Sequence, residues 1–227
     1  DLRYVTQAGG KLHNIFIDEF VEAFPKIEFF VMYGQTEATA RLSYLPPSMI
    51  RKKKGSIGKG IPGVSLKIVN NYGHVVNSGE EGELMAKGEN IMIGYYKDPE
   101  ETKKAIIDGW LCTGDIAVAD NDGYLYLMAR KKEIIKVGGK RVSPKEIEEV
   151  ILSVSEVVDC TISGVEDDIL GEAIKAVIVL NGPMDQQAMK DKILLRCSEK
   201  LSLYKIPQQI EFESNISVNS TGKKIKK

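Results

Sequence analysis

Four short stretches of this 227-residue chain carry residue types that could do chemistry together. The first is Tyr33-Gly34-Gln35-Thr36-Glu37, directly after the apolar run from Ile27 to Met32. Ligands of open α/β sheets bind beyond the carboxyl ends of strands, and a glycine there admits close backbone approach. A threonine hydroxyl can donate to a phosphate oxygen, and a glutamate suits Mg²⁺, a hard cation that takes oxygen ligands. A polar loop opening a helix has the same composition, so position alone leaves both readings open. The second is Thr113-Gly114-Asp115, which reads as lying at the edge of a strand that starts at Ile116. An Asp so placed can accept hydrogen bonds from a ribose diol, although Asp is also common in turns. The third is the basic stretch from Arg130 to Arg141, with Lys131, Lys132, Lys136 and Lys140 around Gly138-Gly139. It reads either as a solvated face or as a polyanion-facing surface that can turn. The fourth is Ser220-Thr221-Gly222-Lys223, where a lysine on a glycine-flexed loop can reach a phosphate as a point charge. The run Arg51-Lys52-Lys53-Lys54 reads as merely solvated.

The rest of the composition narrows the classes. Lys plus Arg number 31 against 32 Asp plus Glu, a net charge of -1, which argues against a dedicated nucleic-acid binder. Hydrophobic residues make up 43%, and a chain of this length buries a full core without metal or disulfide staples. Cys112, Cys160 and Cys197 are few and far apart with no CxxC pair, which fits a reducing, cytoplasmic setting. The two histidines, His13 and His74, read as surface residues and give a His-based triad or metal site little to build on. No stretch approaches the roughly 20 apolar residues of a membrane span. The chain opens at Asp1 rather than Met and at once enters a strand-like run, so it reads as a cut through a larger protein with an upstream part missing.

These residues need elements to position them. Leu2 to Thr6 predicts a strand. Leu12, Ile15, Phe16, Phe20, Val21 and Phe24 fall at helical spacing over 11–24, ended by Pro25. The apolar run 27–32 predicts a second, buried strand, so 1–47 reads as a right-handed βαβ segment with parallel strands. From 48 to 129, short alternating runs such as Val64 to Val69 and Tyr124 to Met128, separated by glycine turns, predict a small β subdomain, a distorted barrel. From 130 to 227 the pattern is α+β. A hairpin at 134–142 leads to Ser143-Pro144-Lys145-Glu146, a capping-box helix start. Strands follow at about 156–164 and 173–180, a helix at about 185–201 and a strand at about 208–213.

Taken together and in this order, the motifs resemble those of the acyl-adenylate-forming enzymes: acyl-CoA synthetases, aryl-CoA ligases, beetle luciferases and peptide-synthetase adenylation domains. Besides the four stretches, the match includes Gly58-Lys59-Gly60-Ile61-Pro62-Gly63, Gly82-Glu83-Leu84, Gly94-Tyr95-Tyr96, Gly109-Trp110-Leu111-Cys112, Gly123-Tyr124-Leu125, Arg130 to Lys136 and Val142 to Glu148. One such match is weak; the ordered set is highly specific. The resemblance implies the end of a large adenylation domain over 1–129, then a small mobile C-terminal domain over 130–227 that turns about Lys132. It also implies ATP-dependent activation of a carboxylic acid to an acyl-AMP, with Mg²⁺, and transfer to the thiol of CoA or of a carrier-protein pantetheine.

Carried over by position, Thr36 would contact the AMP phosphate and Glu37 would bind Mg²⁺. Gly9 and Gly10 would border the adenine and the acyl pocket, with Tyr33 lining the adenine site and Gly34 beside it in the nucleotide site. Asp115 and Arg130 would hold the ribose, and Lys223 would bridge the carboxylate and the α-phosphate. Lys136, Gly138 and Gly139 would serve the thiol step. The family's Ser/Thr/Gly-rich phosphate loop is not in this chain, and no GxxxxGK[ST] replaces it, which sets a P-loop kinase aside. Ala129 stands where a Gly often precedes the Arg. A fatty or other acyl acid and CoA are the expected substrates. A carrier-protein-directed adenylation domain, and a non-catalytic pantetheine or carrier docking module, are the alternatives.

Overall fold

The structure is a computed structural model that describes residues 1–9 and 12–216, so the expectations for Gly10 and Lys223 lie outside the described residues. The chain divides into two compact units, Asp1–Lys131 and Lys132–Lys227.

The first unit opens with β1 (Tyr4–Gln7), α1 (Asn14–Ala23) and β2 (Glu28–Tyr33). β1 and β2 pair in parallel from Tyr4↔Glu28 to Gln7↔Val31, the expected βαβ unit. Helix α1 lays Ile17 against Phe29, Leu45 and Ile50, and Phe20 packs tilted against Phe29 with ring centroids 5.2 Å apart. Each such buried side chain contributes about 1.5–3 kcal/mol. The helix starts later than its apolar spacing suggested, because His13 is the N-cap with extended backbone. His13 is buried, not a surface residue, with its ring edge-on to Phe16. His74 is exposed.

The unit continues through β3 (Ser43–Leu45), β4 (Ser56–Gly60), β5 (Ser65–Val69), β6 (Gly82–Lys87), α2 (Pro99–Ala105), β7 (Ile106–Ile107), β8 (Trp110–Ala119) and β9 (Leu125–Arg130). Among the described residues these strands form one path in the order β1-β2-β3-β4-β9-β8-β6-β5, with β7 on β8. Ile57, Ile68, Leu84, Ala86, Leu111, Ala117 and Leu125 share one apolar core, so β4, β5, β6, β8 and β9 curl around it. The curl is barrel-like, while the hydrogen-bonded path stays open between β5 and β4. Buried hydroxyls stitch its seam: Ser43 Oγ donates to Ile57 O and Ser56 Oγ to Leu125 O, both at 2.8 Å. Gly58 sits at φ +80, and a Cβ there would lie 1.7 Å from Tyr44 O.

Two sequence readings change here. Lys53 is not simply solvated: its ammonium pairs with Asp120 at 2.7 Å and Asp122 at 2.5 Å, and lies over the Tyr124 ring. It fastens the β8–β9 turn to the segment before β4. Helix α2, unread in the sequence, begins where the Asp98 side chain accepts the Glu101 N–H and Pro99 takes the first position.

The second unit holds β10 (Ile135–Val137), β11 (Lys140–Val142), α3 (Pro144–Leu152), β12 (Val157–Asp167), β13 (Gly171–Leu180), α4 (Gln186–Lys200) and β14 (Gln209–Phe212). Its sheet runs β11-β10-β13-β12, with β14 parallel to β13. The β10–β11 hairpin turns on Gly138 at φ +54 and Gly139 at φ +78, the two left-handed positions a type I′ turn needs. Ser143 is the N-cap of α3 without a side-chain capping bond, and Glu146 pairs with Lys205 at 2.7 Å instead of closing a capping box. α3 buries Ile147 and Ile151, and α4 buries Met189, Ile193 and Cys197 at four-residue spacing, against Cys160, Ile162, Ile174 and Ile178. All three cysteines are free, and burial pushes the Cys197 thiol up to about 11. Among the described residues no helix is long and apolar enough to cross a membrane.

Candidate functional site

Parallel pairing places the ends of β1 and β2 side by side. Beyond β1 lies Gly9, at φ +86. Beyond β2 the chain makes a tight turn, with Thr36–Ala38 as one turn of 3₁₀ helix. A Cβ on Gly34 would lie 2.2 Å from Ala40 O, so glycine is what lets the two limbs of this loop touch. Thr36 is exposed and Glu37 half-buried. The Glu37 carboxylate accepts the Tyr95 hydroxyl at 2.9 Å, and its backbone oxygen accepts Met92 N–H at 2.7 Å. Two non-glycine residues then take left-handed backbone in succession, Thr39 at φ 44 and Ala40 at φ 70.

Asp115 is not at the edge of a strand. β8 runs straight through Thr113-Gly114-Asp115, and Asp115 pairs directly with Arg130 on β9. Gly114, at φ +70, accompanies a register shift against β6 between Glu83 and Met85, a bulge of the kind that re-aims a side chain. The carboxylate is 3% exposed. One oxygen receives Arg130 Nε at 2.8 Å, and the other receives the Tyr33 hydroxyl at 2.6 Å. Thr113 supports the bulge by donating its hydroxyl to Leu84 O at 2.7 Å and accepting the Asp115 N–H at 3.2 Å. Burial, then the Asp115 charge, raises the Tyr33 phenol far above its ordinary range, so it stays a donor at any working pH. The structure thus brings Tyr33 and Asp115 together across 82 residues of sequence, with Arg130 on the same carboxylate.

Of the other expected residues, Lys131 pairs with Glu83 at 2.8 Å, and Lys132 is the exposed first residue of the second unit. Within that unit Lys136 is exposed beside the Gly138-Gly139 turn, its backbone N–H held by Glu172 at 2.7 Å. No cluster of three or more metal-ligating side chains occurs among the described residues. The donor set near Glu37 nevertheless fits Mg²⁺, which commonly takes one or two carboxylates and completes its octahedron with water and substrate phosphates. Sequence reasoning assigned no role to Asn90, Tyr95 or Thr113. Tyr95 lay inside a recognised motif, but its bond to Glu37 spans 58 residues and leaves no mark in local spacing.

The βαβ segment, the curled β unit and the separate α+β unit, with their motifs in this order, are those of the adenylate-forming enzymes. The chain belongs to the AMP-binding enzyme family: that family model matches residues 1–96, and the model of the AMP-binding enzyme C-terminal domain matches residues 146–223. A long-chain-fatty-acid–CoA ligase of Salmonella typhimurium is 40% identical over 84% of the chain, which covers 33% of that relative. A 2-succinylbenzoate–CoA ligase of Bacillus cytotoxicus is 31% identical over 100% of the chain, which covers 46% of it. Among solved structures, the o-succinylbenzoate CoA synthetase of Bacillus subtilis in complex with its acyl-adenylate intermediate superposes with a TM-score of 0.87. It is 32% identical and covers 98% of this chain and 44% of its own. An anthranilate CoA ligase in complex with anthranoyl-AMP gives 0.90 at 30% identity, covering 98% of this chain and 43% of its own. The chain therefore spans a third to just under half the length of these relatives.

Proposed function

We propose that this chain is the C-terminal portion of an ATP-dependent acid–thiol ligase, with CoA as the thiol and an upstream portion supplying the phosphate loop. The observation that carries the reading is the Tyr33–Asp115–Arg130 cluster, a buried carboxylate fixed on a bulged strand, in a chain whose relatives are CoA ligases. In the first step a carboxylate oxygen of the acid attacks the α-phosphorus of ATP, and the bond to pyrophosphate breaks. In the second the thiol sulfur attacks the acyl carbon, the bond to AMP breaks, and the thiol proton passes to solvent.

Each residue has a part in this scheme. Asp115 and Arg130 hold the ribose hydroxyls; a carboxylate offers about four lone-pair sites, enough to serve ribose as well as its protein donors. Tyr33 and Gly34, with Gly9 and Gly10, line the adenine and acyl side. Thr36 donates to the AMP phosphate. Glu37 would hold Mg²⁺, which neutralises and clamps polyphosphate charge when bound. Lys223 bridges the carboxylate and α-phosphate in the first step. The second unit then turns about Lys132 to bring the Lys136, Gly138 and Gly139 face into use, a gating motion. The free cysteines support a reducing compartment, the cytoplasm.

The acid belongs to the range spanned by fatty and aromatic acyl groups, and trapping with hydroxylamine identifies it. With ATP, Mg²⁺ and a panel of long, short and aromatic acids, the protein carrying its upstream portion is expected to yield hydroxamate from a narrow subset. The 227 residues alone are expected to yield none. Hydroxamate from no acid with the longer protein would reject the ligase reading.

A smaller effect is expected at Tyr95. Its hydroxyl fixes one oxygen of Glu37, so Tyr95→Phe frees the carboxylate to rotate and loses a charge-assisted bond of about 1.5–3 kcal/mol in its local worth. The half-saturating Mg²⁺ concentration should rise severalfold while activity at saturating Mg²⁺ recovers. A titration of pyrophosphate exchange against Mg²⁺ reads this directly.

A further inference from the structure

The turn that carries Thr36 and Glu37 ends in an unfavourable conformation. Thr39 and Ala40 are both left-handed, and neither is glycine. Such backbone persists only where surrounding bonds over-determine it. The turn's own bonds run from Ala38 N–H and Ala40 N–H to Gln35 O at 3.0 and 3.2 Å and from Arg41 N–H to Ala38 O at 3.3 Å; they close a short ring but leave the carbonyl of Arg41 to be met from elsewhere. One residue meets it and gives Ala38 O a second donor. The Asn90 side-chain amide donates to Ala38 O at 3.1 Å and to Arg41 O at 2.8 Å, on either side of the strained pair. The Asn90 backbone oxygen accepts the Thr39 hydroxyl at 2.9 Å. Two residues on, Met92 N–H bonds Glu37 O. Both amide hydrogens of Asn90 are thus used on the turn, and its side-chain oxygen is left buried without a partner among the described residues. A buried unpaired acceptor is costly, so this orientation is held by the two donated bonds.

We propose that Asn90 is a positioning residue: it clamps the left-handed Thr39-Ala40 pair and through it fixes where Thr36 and Glu37 present their oxygens. This rests on the roles proposed above for those two residues, but the clamp itself is testable without them. Hydrogen exchange read by mass spectrometry on the segment 34–42 is the measurement, with the second unit's β12 and β13 as internal control. Asn90→Ala should speed exchange in that segment about tenfold, on the order of one lost hydrogen bond, with the control peptides unchanged. Asn90→Asp keeps the shape but sets a carboxylate oxygen against two carbonyls, so it should fail as badly. Ala40→Gly removes the steric cost of a positive φ, and in the Asn90→Ala background it should restore most of the protection. Unchanged exchange in Asn90→Ala, or no recovery on adding Ala40→Gly, overturns the clamp. Loss of protection across the whole first unit also overturns it, because Asn90 would then be a general fold determinant.

The functional half is read in the protein with its upstream portion. Asn90→Ala should raise KM for MgATP about tenfold in pyrophosphate exchange, leave KM for the thiol unchanged, and be relieved by Ala40→Gly. An unchanged KM for MgATP alongside faster exchange at 34–42 would overturn the positioning role. If the wild type shows no pyrophosphate exchange at all, the ligase reading is what falls, and the exchange data decide the clamp by themselves.

Discussion

Asp115→Asn is expected to weaken binding of AMP and acyl-AMP about 100-fold while the protein stays folded, with roughly 1.4 kcal/mol for each tenfold. The substitution removes the charge and turns one acceptor oxygen into a donor. That donor faces either the Arg130 Nε–H, at 2.8 Å from the native oxygen, or the ribose hydroxyl that the carboxylate is proposed to accept. Hydrogen bonds to a charged group are worth about 1.5–3 kcal/mol each, so one lost charged bond with one new donor–donor conflict gives the expected size. The fold is spared for two reasons. The Arg130 side chain is 43% exposed and can rehydrate once the buried carboxylate has lost its charge. The buried Tyr33 hydroxyl keeps an acceptor in the remaining amide oxygen. Calorimetric titration with acyl-AMP, alongside thermal unfolding, separates the two effects; wild-type affinity in a folded variant would remove Asp115 from the nucleotide site.

Lys223→Ala is expected to slow adenylation about 100–1000-fold, the usual loss for one group aimed at developing charge. Lys223 lies outside the described residues, and its expected effect follows from charge. In the first step two anions, the carboxylate and the α-phosphate, must approach, and a single ammonium between them offsets their repulsion. In the second step the acyl group is already bonded to AMP and the nucleophile is a thiol, so that cation has no second anion to bring in. Supplied acyl-AMP should therefore pass to the thiol at near wild-type rate in Lys223→Ala. Equal loss of both steps would end this division of labour.

Much of the architecture was legible because it follows from periodicity and punctuation. The helical spacing from Leu12 to Phe24, stopped by Pro25, and the apolar run to Met32 gave the parallel β1–α1–β2 unit, and Gly138-Gly139 gave the hairpin. The same grammar could have given α2, since Asp98-Pro99-Glu100-Glu101 is a helix start like Ser143-Pro144-Lys145-Glu146. What stayed hidden is long-range or conformational. Nothing near Asp115 announces Tyr33 as its partner, and the tripeptide reads as the edge of a strand starting at Ile116 where the chain makes a bulge inside a ten-residue strand. Nothing in Thr39-Ala40 announces left-handed backbone, because neither residue favours it; Gly34 at one end and Asn90 at the other, with the turn's own bonds, make it tenable. His13 and Lys53 were misjudged for a related reason. A polar residue's burial depends on which distant groups face it, and Asp120 and Asp122 arrive from across the sheet.

The bulge at Gly114 has a mechanical consequence. Two pairing offsets bear on Asp115: one against β6, between Glu83 and Met85, spans it from Cys112 to Ile116, and one against β9, between Ile116 and Ala117, follows it. A strand in unbroken register transmits any slip along its whole length and turns every side chain to the other face. Here the two offsets act as expansion joints. A length change in the turn after Ala119, or a shift of the edge around Trp110, can be taken up at a joint before it reaches the Asp115↔Arg130 rung. The rung therefore behaves as an insulated coupling, shielded from changes at the two ends of β8.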